Sequence, residues 1–107
     1  MKNSTSKLEG FQKKYLRGLA HKTKPVVFIG RNGITDTLNR SIDDALTAHE
    51  LIKVKYIDFK EKEKKTEIAG TIEKTHGCEM AGMIGHTAIF YRQSPEEDKR
   101  KIVVPSR

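Results

Sequence analysis

The sequence predicts an α/β fold in which helices pack on a mixed four-stranded sheet. Helical and strand patterns follow one another in the order α-β-α-β-α-β-β. Strand–helix–strand units favour parallel pairing, whereas only Gly85-His86 separates the last two strands, which is typical of an antiparallel hairpin. The 107 residues contain no internal repeat or interdomain linker. We therefore expect one domain over residues 1–107, with its core at about 6–92 and a polar tail at 93–107.

The first predicted helix begins at Ser6, because Ser6-Lys7-Leu8-Glu9 has the spacing of a capping box. Apolar residues at spacings of three and four predict a buried stripe made of Leu8, Phe11, Tyr15 and Leu19. The opposite side is cationic and carries Lys7, Lys13, Lys14, Arg17 and His21. We expect the apolar stripe to pack and the cationic side to face solvent.

The next strand and helix follow directly. Residues 26–29 read Val-Val-Phe-Ile and predict a short buried strand, which Gly30-Arg31-Asn32-Gly33 ends. Thr35 is placed to cap a second helix. The buried stripe of that helix is predicted to contain Leu38, Ile42, Ala45 and His49.

The rest of the chain predicts three further strands and one helix. Residues 51–59 alternate: one face of this strand carries Ile52, Val54 and Tyr56, and the other, predicted to be partly open, carries Lys53, Lys55, Ile57 and Phe59. The charged run from Lys60 could begin a helix or form the tip of a hairpin; Gly77, a typical helix terminator, favours the helix. Residues 79–84 and 87–92 predict the terminal hairpin, and residues 102–105 an extended segment that packs back on the domain.

The net charge of the chain limits the kinds of molecule that it is expected to bind. The chain carries 21 Lys and Arg against 14 Asp and Glu, a net charge of +7, and its pI is about 9.6. Residues 1–24 hold seven basic residues and one acidic residue, which is +6 of that total. Such a concentrated positive field attracts nucleic acid or an anionic membrane, although a basic pI can also serve solubility alone.

Several classes of protein are excluded or disfavoured. No apolar run exceeds four residues, so we expect no membrane span; without a hydrophobic stretch in residues 1–15 we also expect no secretory signal and a cytoplasmic location. Cys78 is the single cysteine, which excludes an internal disulfide and a multi-thiolate metal site. Both common glycine-rich nucleotide-binding motifs are absent, and no acid, histidine and nucleophile form a recognisable catalytic set. We expect no cofactor, no metal and no enzymatic activity.

The sharpest candidate site is the Gly-x-x-Gly loop between the first strand and the second helix. Its glycines, Gly30 and Gly33, allow a tight turn and a close approach of ligand to backbone, and Arg31 and Asn32 are suitable phosphate donors. An ordinary strand-to-helix turn is the alternative interpretation. Asp36 in the first helical turn would repel an anion, so neighbouring cations have to assist.

Five segments in order resemble a CRM domain, most closely the single-domain bacterial YhbY-like proteins. They begin at Arg17-Gly18-Leu19-Ala20-His21 and continue through Lys24-Pro25-Val26-Val27, the glycine loop with Ile34-Thr35, residues 49–55 and residues 84–92. The resemblance spans about residues 7–92. It implies a fold similar to the C-terminal domain of translation initiation factor three, RNA binding without catalysis, and association with precursors of the large ribosomal subunit.

Carried over by position, the resemblance makes the glycine loop the expected RNA contact: Gly30, Arg31, Asn32 and Gly33. We expect a basic group near the start of the chain to flank this loop: Lys14, Arg17, His21, Lys22 and Lys24. The predicted function is non-enzymatic binding of ribosomal RNA by a monomer during ribosome assembly. Alternatives are a protein-binding adaptor on ribosomal particles, a small enzyme for phosphorylated substrates, and a membrane-surface protein.

Overall fold

The computed structural model describes residues 8–106 and confirms the predicted order of elements. The helices are α1 (Gly10–Ala20), α2 (Asp36–His49) and α3 (Lys62–His76). The strands are β1 (Val27–Ile29), β2 (Leu51–Tyr56), β3 (Glu79–Ile84) and β4 (Thr87–Tyr91), and a 3₁₀ turn follows at Glu97–Lys99. The helical interpretation of the charged run is therefore confirmed, and Gly77 ends α3 in the left-handed conformation.

The four strands form one mixed sheet in the order β1-β2-β4-β3. Strands β1 and β2 are parallel, while β4 is antiparallel to both β2 and β3. Gly85, with a φ of 60°, and His86 make the turn between β3 and β4. This topology brings the end of β1, the end of β2 and the β3–β4 turn to the same edge of the molecule.

Each face of the sheet carries its own apolar core. Helices α2 and α3 cover one face, where the largest fully buried side chains include Ile42, Ile72, Tyr56 and Phe90. Helix α1 covers part of the other face through a smaller cluster: Leu16, Ala20, Leu51, Ala81, Ile89 and Tyr91. The alternation predicted for β2 is confirmed within Leu51–Tyr56, because Ile52, Val54 and Tyr56 all point into the larger core. The strand was predicted too long: Phe59 lies beyond its end and packs against the larger core, not on the opposite face.

Helix α1 differs from its prediction in both its start and its buried face. It begins at Gly10, with a capping box between Glu9 and Gln12, whereas Ser6 lies outside the described residues. The buried residues are Leu16 and Ala20, while Tyr15 and Leu19 are exposed, so the predicted stripe was wrong. Leu16 and Ala20 lie on the side of the helix that contacts Leu51, Ala81, Ile89 and Tyr91 of the sheet, and this contact decides which side is buried.

Two further burial predictions need correction. Thr35 caps α2 as predicted, its hydroxyl accepting the N–H of Leu38 at 3.1 Å, but Leu46 is buried at the end of the stripe and His49 is exposed. In β1, Val27 and Ile29 are buried whereas Phe28 is 54% exposed. The strand lies at an edge of the sheet, and no helix within residues 8–106 covers its second face.

The segment after β4 is fastened to the domain by Glu50. This residue ends α2 with a φ of 64°, a left-handed conformation that favours glycine, and its side chain is buried. Its carboxylate accepts the backbone N–H groups of Ser94 at 2.6 Å, Lys101 at 2.7 Å and Ile102 at 3.1 Å. Ile102 and Val104 then pack against the smaller core, so the chain does return to the domain.

Candidate nucleic-acid interface

The glycine loop is a tight turn supported by an aromatic ring. The Gly33 N–H donates to the Gly30 carbonyl oxygen at 3.0 Å, and Gly33 has a φ of 66°, which side-chain-bearing residues rarely adopt. A Cβ atom on Gly33 would lie 3.6 Å from the Phe59 ring, whereas one on Gly30 would meet open space. The ring therefore supports one side of the turn and leaves the other side accessible.

The accessible side of the loop presents donors beside the start of α2. Arg31 and Asn32 are exposed, and the loop lines a shallow concavity together with Phe28, Thr35 and Ser41. Asp36 stands in the first turn of α2, where its carboxylate already interacts with the helix dipole. An anion bound here would therefore depend on the Arg31 guanidinium and on cations from other elements.

A row of side chains that no described helix covers crosses all four strands next to this loop. Strand pairing aligns Phe28 with Lys55, Lys55 with Thr87, and Thr87 with Ile84. These four residues point to the face on which α1 packs, but α1 covers only the half of that face around Ile89 and Tyr91. Phe28 is 54% and Ile84 62% exposed. We call these four residues the open row.

Arg17 and His21 border the open row from the side of α1. The Arg17 Nη1 donates to the Ala81 carbonyl oxygen at 2.9 Å, which holds the guanidinium over β3. Both residues line a concavity that also contains Pro25, Lys53, Ile84, Thr87 and Ile89. The Lys53 ammonium donates to the Thr23 carbonyl oxygen at 2.9 Å. Two of the five predicted flanking cations thus lie beside the open row.

The other three predicted cations lie elsewhere. Lys14 is on the outward side of α1, in a groove with Phe11, Tyr15 and Leu19. Lys22 is exposed in the turn after α1, and Lys24 lines a separate groove near His49. Strand β1 runs from Lys24 towards the glycine loop, so Lys24 and the loop are at opposite ends of that strand. The structure therefore brings together only part of the predicted basic group.

A second group of cations, absent from our sequence prediction, surrounds the β3–β4 turn. The buried Lys65 of α3 donates from Nζ to the Gly85 carbonyl oxygen at 2.7 Å and to the His86 Nδ1 at 3.2 Å. Desolvation lowers the pKa of the His86 imidazole, and the positive charges of Lys65, Lys60 and Lys55 lower it further. These lysines therefore concentrate positive charge at the end of the open row.

Sequence reasoning missed this group because its members come from distant parts of the chain. Lys55 lies on β2, Lys60 and Lys65 flank the start of α3, and His86 is in the hairpin turn. The run from Lys60 was interpreted as the start of a helix or the tip of a hairpin, and not as part of a binding surface. The one observation that could have found it was the partly open strand face predicted to carry Lys53 and Lys55. An open face on a strand inside a sheet indicates an exposed surface to which the neighbouring strands also contribute.

The residues most often used for catalysis or metal binding are engaged in the fold. Burial raises the pKa of the Cys78 thiol to about 12, which keeps it protonated at neutral pH. The His76 Nε2 lies 3.1 Å from the Asn39 Oδ1, and burial lowers the pKa of this imidazole. Within residues 8–106, no three His, Cys, Asp or Glu side chains gather closely enough to hold a metal ion.

The fold and this surface define a class: a small α/β domain with an uncovered, cationic sheet surface next to a glycine loop. The chain belongs to the CRS1 / YhbY (CRM) domain family, whose sequence model matches residues 8–92. The resemblance found from the sequence motifs is thereby confirmed. Among residues 8–106, none of the helices combines the length and apolarity that crossing a bilayer requires.

Two relatives and one solved structure cover most of the chain. An RNA-binding protein of Haemophilus influenzae is 38% identical over 96 residues, which are 90% of this chain and 93% of that protein. The probable RNA-binding protein YqeI of Bacillus subtilis is 36% identical over 89 residues, 83% of this chain and 92% of that protein. The solution structure of protein SAV1595 from Staphylococcus aureus has a TM-score of 0.76 at 36% identity and covers 91% of this chain and 100% of that one.

Proposed function

We propose that the protein binds RNA without catalysing a reaction, through a surface made of the glycine loop, the open row and the cations around the β3–β4 turn. The observation that carries the proposal is the open row itself. Phe28, Lys55, Thr87 and Ile84 leave one half of a sheet face uncovered, directly beside the exposed Arg31 and Asn32. Relatives named as RNA-binding proteins support the same assignment.

The chemistry of this surface suits a ribose-phosphate strand. Arg31, Lys53, Lys55 and Lys60 supply positive charge for phosphates, and Phe28 supplies one exposed aromatic face on which a base can stack. Tyr56, Phe90 and Tyr91 are buried and take no part in stacking. Recognition therefore depends on backbone shape and charge more than on base sequence.

For the biological target we propose ribosomal RNA in precursors of the large subunit, bound in the cytoplasm by a monomer. The support is the family to which the chain belongs, together with a net charge of +7 that suits a densely anionic particle. Crosslinking in cells followed by sequencing of the bound RNA tests this target. Reads concentrated in large-subunit rRNA are the expected result, and reads spread over messenger RNA would overturn it.

The double variant Arg31→Ala/Asn32→Ala tests the proposed surface. Both side chains are exposed, so the fold is expected to survive, while RNA affinity falls by about tenfold or more because a charged donor is lost. Fluorescence anisotropy with a labelled rRNA fragment measures the affinity, and circular dichroism checks the fold. Arg40→Ala is the matched control, since Arg40 is equally exposed but lies farther along α2. Unchanged affinity in the double variant would remove the loop from the site.

A second candidate function, a protein-binding adaptor on ribosomal particles, is favoured by one observation. The outward side of α1 is apolar: Tyr15 is 42% exposed, and it shares a groove with Phe11, Leu19 and Pro105. Digestion of exposed RNA on isolated particles separates the two functions. An adaptor stays bound after digestion and is released by Tyr15→Ser/Leu19→Ser, whereas an RNA-binding protein leaves with the digested RNA.

A further inference from the structure

Lys65 determines which ring nitrogen of His86 carries the proton. A lysine ammonium has donors only, so the 3.2 Å contact between Lys65 Nζ and His86 Nδ1 makes Nδ1 the acceptor. In a neutral imidazole the remaining nitrogen, Nε2, then carries the proton and is a donor only. Because the His86 side chain is exposed, this single N–H is available to a ligand.

The position of His86 is fixed as well. Its carbonyl oxygen accepts the Tyr56 N–H at 2.7 Å, and the preceding Gly85 carbonyl accepts the Lys65 ammonium at 2.7 Å. Lys65 is only 7% exposed, and its own carbonyl oxygen accepts the Tyr56 hydroxyl at 2.8 Å. The turn is therefore fastened to both β2 and α3. His86 stands at the end of the open row, between Ile84 and Thr87.

The charges around His86 indicate which kind of RNA oxygen would accept a hydrogen bond from its Nε2–H. Desolvation disfavours protonation of the imidazole, and the charges of Lys65 from α3, Lys60 from the β2–α3 connection and Lys55 from β2 disfavour it further. Phosphate oxygens bind more strongly to the ammonium groups than to a neutral N–H. A neutral donor among cations is better matched to a neutral oxygen of the same strand, and the ribose 2′-hydroxyl is the neutral hydroxyl that each residue of an RNA strand carries beside its phosphates.

We propose that His86 donates a hydrogen bond from Nε2–H to a ribose 2′-hydroxyl of the bound strand, with Lys65 as the residue that positions it. This inference rests on the proposed RNA-binding function and adds the group that distinguishes RNA from DNA. Lys55, Lys60 and Arg31 contact phosphates, which both nucleic acids possess. His86 contacts the one hydroxyl that DNA lacks.

The test compares one single-stranded RNA with its 2′-deoxy counterpart of the same base sequence. We expect the unmodified protein to prefer the RNA, and His86→Ala to lower RNA affinity by about three- to tenfold while affinity for the deoxy strand stays unchanged. His86→Asn, which keeps an N–H donor, is expected to restore part of the preference. His49→Ala is the matched control, because His49 is exposed at the other end of the sheet, beside Lys24.

NMR spectroscopy of the His86 ring tests the positioning role of Lys65. In the unmodified protein, ¹⁵N chemical shifts of His86 are expected to show protonated Nε2 and unprotonated Nδ1. In Lys65→Met, whose fold is checked by circular dichroism, the two tautomers are expected to mix and the pKa of His86 to rise. A pure Nε2–H tautomer in Lys65→Met would show that Lys65 does not position the ring.

The outcomes separate this inference from the proposed function. If the unmodified protein binds neither strand, both fail. If it binds RNA and His86→Ala binds equally well, the function stands and the His86 contact is wrong. If His86→Ala loses RNA and deoxy affinity equally, His86 does not contact the 2′-hydroxyl, and this inference is again overturned.

Discussion

Arg17 lies directly across Gly82. A Cβ atom on Gly82 would be 2.5 Å from the Arg17 Cδ and 3.2 Å from its Cγ, so any larger residue here requires the arginine side chain that crosses β3 to shift. From this position the guanidinium donates to the Ala81 carbonyl oxygen. The contact fastens α1 to the sheet next to the place where the open row begins.

Gly82→Ala therefore tests how α1 is attached. The added methyl group has to displace the Arg17 side chain and break its hydrogen bond, so we expect the free energy of unfolding to fall by about 1–3 kcal/mol. Urea denaturation measures the change. Gly70→Ala is the control: it lies inside α3 with no atom within 4 Å of its Cβ position, and it is expected to stabilise by about 0.5–1 kcal/mol. Equal stability of Gly82→Ala and the unmodified protein would mean that Arg17 is not packed on β3.

The Glu50 carboxylate is expected to make stability depend on pH in the acid range. Burial raises the pKa of this carboxyl, but the three backbone N–H donors and Arg100 outweigh burial and bring the pKa below its ordinary value of 4.5. A lowered pKa stabilises the folded state above about pH 4.5, and this contribution is lost as the pH falls through the folded value. Thermal unfolding between pH 7 and pH 3 measures it. If a Glu50→Gln variant loses as much stability between pH 7 and pH 3 as the unmodified protein, the loss is due to other carboxylates.

Glu50→Gln is also expected to release the segment after β4. The amide replaces one of two accepting oxygens, so at least one of the N–H groups of Ser94, Lys101 and Ile102 loses its partner, at a cost of about 1–3 kcal/mol. Faster trypsin cleavage after Arg100 and Lys101 is the measurement. Glu97→Gln is the control, because Glu97 is exposed in the 3₁₀ turn. Cleavage at unchanged rates would show that the apolar contacts of Ile102 and Val104 hold the segment by themselves.

Lys55 is expected to determine part of the salt dependence of RNA binding. Each phosphate that a cation neutralises on a single strand contributes about 0.7 to the slope of log K against log salt concentration. Lys55→Gln is therefore expected to reduce that slope by about 0.7, measured by anisotropy titrations from low to high salt. Lys74→Gln, in the last turn of α3 and away from the open row, should leave the slope unchanged. Equal slopes for Lys55→Gln and the unmodified protein would exclude Lys55 from the interface.

The Thr35 cap gives a prediction for the start of α2. Thr35→Ala removes the hydroxyl that accepts the Leu38 N–H, and the expected loss is about 1 kcal/mol of stability. Urea denaturation measures the difference. Thr37→Ala is the control, because the Thr37 side chain is exposed at the second position of the helix. A loss of the same size in both variants would contradict a capping role.

Local signals were sufficient where one short segment decides the structure. The Thr35 cap, the end of α3 at Gly77, the two-residue hairpin turn and the alternation of β2 each depend on a few neighbouring residues, and all four predictions are confirmed. The face of α1 was predicted wrongly because periodicity finds apolar stripes without showing which stripe fits a given sheet. In the structure, Leu16 and Ala20 are the residues of α1 that are buried against the sheet.

The candidate site was predictable only in part, for a related reason. Gly30 to Gly33 form a continuous motif, and their turn could be read from the sequence alone. The open row and the turn cations depend on pairing between β1, β2, β4 and β3, which brings Lys55 beside Thr87 and Lys65 beside His86. No local pattern contains that information, and three of the five cations chosen from the sequence consequently lie outside the surface.

The open row also has a thermodynamic consequence. Its four side chains stand on adjacent hydrogen-bonded strands, about 4.8 Å apart, so their spacing is preorganised before any ligand arrives. Little backbone freedom remains to be lost on association, which keeps the entropic cost of complex formation low. Calorimetry would then show a small conformational penalty, and the release of condensed counterions would dominate the entropy of binding.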